Sequence, residues 1–314
     1  MNLPWLDASR NRLNEALARN RLGHAPLVHG PAGLGKRILA DWLVRRILCL
    51  APEQGEPCGR CRSCELLDGG VHPDLFTASI PEDKTQLTVD VIRDLSRGLA
   101  LTPSIGPRRV GLIAEADRMN RNAANALLKT LEEPSAQAWL ILVSDHPEGL
   151  PATIRSRCQK LPVHPPDPET TAAWLAEQGV QATSEDRALA VEAAGGAPLR
   201  ALQLLRDSNL AFGLDVRSRL LDISRGSAPA PQLIEQWSER SDEAWHWLAY
   251  WTRQWLGPAV GLEAGETGVA DAPGLSQLWQ QALEGRALSS GAIRADLLLG
   301  KWLLEWRRLF ESRG

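Results

Sequence analysis

The chain has 314 residues, 44% of them hydrophobic and 23% charged, with a formal net charge of −3. That length exceeds one average domain and predicts two or three; the near-balanced charge argues against bulk electrostatic binding of nucleic acid or membrane, leaving only a local basic patch open. Met1 to Asp7 has neither the basic start nor the apolar stretch of a signal peptide. The apolar runs Trp42–Leu50 and Leu297–Leu304 contain Arg45, Arg46 or Lys301 and fall short of a membrane span, so a cytoplasmic protein is expected.

The first half alternates short apolar runs with helical patterns, as a parallel α/β sheet requires. Ala25–His29 reads as a strand entering a glycine loop. From Gly35, apolar residues at Ile38, Leu39, Trp42, Leu43, Ile47 and Leu48 have the spacing of an amphipathic helix. A segment rich in Gly, Pro, Cys and charge follows and reads as an insertion. Asp74–Ser79 is a second strand, Thr88–Leu99 a helix capped near Thr88 or Asp90, and Arg109–Ala114 a third strand. Asn120–Glu133 is a helix stopped by Pro134, and Ala138–Val143 is a strand apolar enough to be buried on both faces.

Leu161–Pro166 reads as a Pro-rich linker, beyond which no convincing strand is expected. Glu169–Leu205 predicts a small helical domain broken at Gly179 and at Gly195-Gly196. A second helical domain is expected from about Asn209, interrupted by the Gly-rich stretch Gly257–Gly274. Eight of the twelve Trp residues lie in it, and Trp247, Trp251 and Trp255 recur every fourth residue. Such a stripe is expected to be a core seam or a packing face, not a ligand cage.

Gly30-Pro31-Ala32-Gly33-Leu34-Gly35-Lys36 fills the G-x-x-x-x-G-K part of a phosphate-binding loop. Glycines let backbone N–H groups curl around a phosphate, and the Lys and the helix N-terminus add positive potential. The next position normally offers a Ser or Thr hydroxyl to Mg²⁺; here it is Arg37. The third strand should end in an Asp, and Ala114 stands there, followed by Glu115. Asp117 is a poor substitute, two residues further along. ATP or ADP binding is conceivable through the loop and Lys36, but efficient hydrolysis is not expected.

Cys58-x-x-Cys61-x-x-Cys64 places three thiolates on tight turns, and Cys49 can return from the end of the preceding helix to complete a tetrahedron. Four Cys ligands with no water position describe a closed, structural Zn²⁺ site. The unusual gap between Cys49 and Cys58 is the weak point of this reading. A nucleic-acid-binding zinc knuckle is less well supported, since neither aromatic interleaving nor a basic run accompanies the cysteines.

Two further motifs specify a family. Asn125-Ala126-Leu127-Leu128-Lys129-Thr130-Leu131-Glu132-Glu133-Pro134, then a strand, then Ile154-Arg155-Ser156-Arg157-Cys158, resembles the clamp-loader branch of the AAA+ ATPases, as does Leu87–Leu95. The resemblance covers roughly the first half of the chain. It implies a P-loop AAA+ parallel-sheet domain over 1–163 carrying a zinc module at about 49–64, a helical lid over 164–207 and an all-helical collar over 208–314. It implies that Arg157 projects into the ATP site of an adjacent subunit, with Arg155 the runner-up, and that Cys158 is packed beside it. Gly196-Ala197-Pro198-Leu199-Arg200 resembles the nucleotide-sensing lid motif, with Pro198 departing from it. The implied partners are motor subunits, a sliding clamp and primer–template DNA. The implied role is that of a subunit which is no enzyme on its own; the alternative is a working ATPase with an irregular metal site.

Overall fold

The computed structural model describes residues 2–82, 84–227, 231–259, 272–288 and 294–311. They fall into two compact units, Met1–Trp174 with Gly195–Arg200, and Leu175–Ala194 with Ala201–Gly314.

The first unit is a five-stranded parallel sheet flanked by helices. Its strands are β1 (Pro26–His29), β2 (Leu75–Ala78), β3 (Arg109–Ile113), β4 (Ala138–Ser144) and β5 (Gln159–Pro162), in the spatial order β2-β3-β4-β1-β5. β4 lies between β3 and β1, in register Leu140 with Gly111 and Leu142 with Leu27. A strand paired on both edges and covered on both faces has to be apolar throughout, which is why Leu140, Ile141, Leu142 and Val143 are all buried.

The flanking helices are α1 (Asp7–Ala18), α2 (Lys36–Leu48), α3 (Arg62–Asp68), α4 (Val89–Leu99), α5 (Arg121–Glu132) and α6 (Ala152–Arg155). α4 and α5 bury Ile92, Leu95, Leu99, Leu127 and Leu131 in one cluster with Leu140, Leu142, Ile154 and Cys158. Asn120 fixes the start of α5: its side chain accepts a hydrogen bond from Ala123 N at 2.9 Å, a cap that contributes about 1 kcal/mol.

One expectation changes here, and one helix was not expected. Leu161 and Pro162 are not linker but the end of β5, which pairs with β1 on one side only. An edge strand has only one buried flank, so Gln-Lys-Leu-Pro lacks the apolar run that marks β4. The helix α1 had no expectation at all. The three-residue helix at Pro4–Leu6 leads into it and buries Leu3 and Leu6.

Helices α7 (Pro168–Glu177), α8 (Ser184–Ala193) and α9 (Pro198–Arg206) follow, with turns at Gly179, Gly195 and Gly196, all at positive φ. Thr183 and Asp186 form a reciprocal capping box at the start of α8. The second unit is completed by α10 (Asn209–Ser224), α11 (Pro231–Glu239), α12 (Ser241–Ala259), α13 (Ala272–Leu288) and α14 (Ala295–Glu311). The Trp stripe is core. Trp247, Trp251 and Trp255 stack along α12, Trp255 meets Trp306 of α14, and Trp302 stacks on Trp306. Burying an indole requires an acceptor for its N–H; Asn209 Oδ1, Gly213 O, Leu278 O and Leu220 O serve Trp247, Trp251, Trp302 and Trp306 at 2.7–3.1 Å. Of the predicted interruption at 257–274, its first and last residues are helical and 260–271 lie outside the described residues. No described helix is long and apolar enough to cross a membrane.

Candidate functional site

The glycine loop joins β1 to α2. Gly30 has φ +148°, and a Cβ there would collide with Val163 O; Gly33 has φ +82°, and a Cβ would come within 2.8 Å of Arg200 Cβ. Both positions therefore require glycine, for conformation and for close approach. Leu199 N donates to Gly33 O at 3.0 Å, and Trp5 Nε1 donates to Leu34 O at 2.9 Å. The loop is thus braced by the start of α9, where Arg200 stands, and by the N-terminal segment.

Lys36, only 3% exposed, makes an ion pair with Asp145 Oδ1 at 2.6 Å, and its Nζ also donates to Pro31 O. Asp145 directly follows β4 and is half exposed. Sequence reasoning missed it; a carboxylate one residue past a strand that neighbours β1 in a parallel sheet was the available signal. Arg37 points away from the loop and pairs with Asp41 at 2.9 Å on the exposed face of α2. At the end of β3, Ala114 carries no ligand atom, Glu115 is exposed, and Asp117 sits in the following short helix Ala116–Arg118. No carboxylate or hydroxyl thus stands at either of the two positions where a P-loop enzyme holds Mg²⁺.

At the far end of the same sheet, the Ser-Arg-Cys triplet forms the turn between α6 and β5. Arg157 Nη2 lies 2.7 Å from Glu132 Oε1, and its Nη1 donates to Thr153 O at 3.0 Å. Arg155 is half-buried. Cys158 is buried in the apolar cluster, and burial pushes its thiol up to about 11, the opposite of what activates a nucleophile.

The cysteines come together. The Sγ atoms of Cys49, Cys58, Cys61 and Cys64 all lie within 4.8 Å of one another, with Cys49 at 3.6 Å from Cys58 and 4.0 Å from Cys61. A tetrahedral zinc with Zn–S near 2.3 Å separates its sulfurs by about 3.8 Å, so the donor set fits that ion. Burial raises Cys61, but hydrogen bonds from the Cys64 and Leu50 backbone and from the Cys64 and Cys58 side chains outweigh it and draw it down to about 6. Burial, with hydrogen bonding to Cys61, pushes Cys64 up to about 12. Of the three cysteines expected on tight turns, Cys58 alone stands beside a bend, at Gly59 with φ +69°; Cys61 is the N-cap of α3 and Cys64 lies in its first turn. The basic spacer residue Arg60 is turned to Glu53.

A buried polar network ties this module to the sheet, and sequence reasoning did not foresee it. Ser63 Oγ donates to Leu48 O at 2.7 Å and meets His72 Nε2 at 2.9 Å, while Asp74 N donates to His72 Nδ1 at 3.1 Å. The Nδ1 of His72 is therefore the acceptor and its Nε2 carries the proton. The fully buried Asp74 accepts from Ser104 N and Ile105 N and lies 3.4 Å from Arg109 Nη2.

Comparison with known proteins extends the picture. The family model described as DNA polymerase III, delta subunit, matches residues 6–167. The chain is 33% identical to DNA polymerase III subunit delta' of Pseudomonas aeruginosa over 313 residues, 97% of this chain and 90% of that one. It is 34% identical to the delta' subunit of Escherichia coli over 251 residues, 78% and 73% of the two chains. A solved structure, a DNA polymerase III gamma subunit-related protein from Thermotoga maritima, has a TM-score of 0.50 at 18% identity, covering 95% of this chain and 98% of that one. That likeness concerns the fold, a parallel-sheet P-loop domain with helical domains after it.

Proposed function

Because this chain belongs to the delta-prime subunit family of bacterial DNA polymerase III, we propose that it is a non-hydrolysing arm of the clamp loader, the assembly that places the sliding clamp on primed DNA. In this reading it neighbours the gamma/tau motor subunits and the delta subunit, and nucleotidyl transfer belongs to the polymerase assembly as a whole. The domain division at 163 and 207 is part of the same proposal.

One observation carries it. The loop has Gly30, Gly33 and Gly35 at positive φ, yet Arg37 is turned to Asp41 and Ala114 directly follows β3, so neither usual position offers a side chain to organise Mg²⁺ against the phosphates. A P-loop without that ion lacks the charge that bridges the β- and γ-phosphate oxygens during transfer. Lys36, already paired with Asp145, is also less available to a nucleotide. The catalytic contribution then lies with Arg157. A guanidinium placed in trans beside a transferring phosphoryl group stabilises the charge that develops there, and such groups are worth on the order of 10³–10⁵ in rate at the site they serve. Cys49, Cys58, Cys61 and Cys64 would hold a structural Zn²⁺, whose chemistry is confined to cross-linking a segment too small to have its own core.

The test is the DNA-stimulated ATPase of the reconstituted complex. Arg157→Ala is expected to leave assembly intact and lower that rate by tenfold or more at the site it serves; an unchanged rate would refute the finger. Steady ATP turnover by the purified chain, abolished by Lys36→Ala, would establish the working-ATPase alternative instead.

A further inference from the structure

Among the motifs that marked the family are Leu-Leu-Lys-Thr-Leu-Glu-Glu-Pro and Ser-Arg-Cys, and of these the proposed function uses only the second. The structure joins them through one ion pair, Glu132 to Arg157 at 2.7 Å. We propose that Glu132 is a positioning residue for Arg157: it holds the guanidinium in the orientation from which it reaches the neighbouring subunit's nucleotide. This rests on the trans-finger reading of Arg157.

The bases of the two side chains form one rigid piece. Leu131, next to Glu132, and Ile154 and Cys158, on either side of Arg157, are buried in the same apolar cluster. Movement of the end of α5 relative to α6 would have to break that packing. From this base the guanidinium is gripped at two corners, by Glu132 Oε1 on Nη2 and by Thr153 O on Nη1. A guanidinium has five N–H donors, so two bonds leave most of the fork free. The Arg157 side chain is still 38% exposed. It is held and presented at once.

The physical gain is preorganisation. A long Arg side chain loses rotamer freedom when it is fixed, and if that loss falls in the transition state of the partner's reaction it subtracts from rate. A carboxylate that fixes the fork beforehand removes part of this cost. It does so without touching ATP, so the effect belongs in kcat and leaves KM alone. The neighbouring Glu133, just past the end of α5, makes no such pair with Arg157, which makes it the natural control.

The experiment compares the DNA-stimulated ATPase of complexes reconstituted with full-length variants, with kcat and KM for ATP resolved separately. Glu132→Ala is expected to lower kcat by about two- to fivefold, the scale of one half-exposed ion pair, with KM unchanged. Glu132→Gln, which keeps an oxygen acceptor for Nη2, is expected to recover most of the rate, and Glu133→Ala to match the parent. In the Arg157→Ala background, Glu132→Ala is expected to add nothing. If Arg157→Ala slows the complex but Glu132→Ala leaves kcat unchanged, raises it, or lowers it equally in the Arg157→Ala background, the positioning role is overturned and the finger stands. If Arg157→Ala itself changes nothing, the finger reading falls first and takes the positioning role with it.

Discussion

The glycine loop and the cysteine cluster begin from similar material, short runs of small residues next to α2, and end in opposite electrostatic states. At the loop, the charge that a phosphate would answer is already answered by the chain: Lys36 is buried against Asp145 and Pro31 O. At the cluster, four sulfurs converge on one point, and the nearby Arg60 is spent on Glu53. The first site has the loop's glycines and lysine but, with Arg37 and Ala114, no side-chain ligand for Mg²⁺ at the two usual positions. The second has the donors and the spacing for a cation. A motif therefore reports backbone shape more securely than it reports chemistry.

The largest effect expected from breaking this contrast is at the cysteines. Cys61→Ser removes one of four ligands, and the free energy of structural zinc in small sites is on the order of 10 kcal/mol. The variant should lose its bound zinc, measured by metal analysis of the purified protein, and melt well below the parent. Lys36→Ala should keep the metal. Equal zinc content in the Cys61→Ser variant and the parent would refute the four-cysteine centre.

A smaller effect tests whether the sheet edge beside the cluster is organised by the chain itself. Asp74 and Arg109 are 0% and 5% exposed, and Arg109 also donates to Gly98 O. Asp74→Ala leaves a buried guanidinium without its counter-charge and strips Ser104 N and Ile105 N of their acceptor. Loss of about 3–5 kcal/mol is expected from denaturant unfolding of the zinc-loaded protein. A loss below about 1 kcal/mol would mean that the metal, and not this pair, sets the edge.

Which features were legible in the sequence follows from the distance over which each is decided. β1, the loop and α2 are written in adjacent residues, and Asn120 announces α5 by a local cap. The cysteines were legible because three of the four share one short segment. β5 was not, because Gln159 and Lys160 face solvent and only pairing with β1 makes them a strand. Arg109 reads as an ordinary charged residue at the start of β3 until Asp74, far back in the chain, is brought beneath it. Asp145 and Glu132 were hidden for the same reason. Each is unremarkable in its own segment and acquires a role only through a partner on another element.

Asp145 gives the smallest effect and the sharpest reading of the loop. Asp145→Asn keeps a carbonyl oxygen near Lys36 Nζ but removes the negative charge. Because Asp145 is 46% exposed, the stability cost should be about 1 kcal/mol or less. Lys36 would then be free to meet a phosphate, and a carboxylate that repels phosphate would be gone. The expected result is a several-fold gain in affinity for ATP, read by titrating a fluorescent analogue into the purified chain. Since neither Arg37 nor Ala114 can ligate Mg²⁺, that gain should be the same with and without the ion, and turnover should stay at background. An affinity that rises steeply with Mg²⁺, or steady hydrolysis by the variant, would mean that the metal site persists elsewhere in the loop's surroundings. The contrast with the cysteine cluster would then be one of occupancy, and the loop would have kept its chemistry after all.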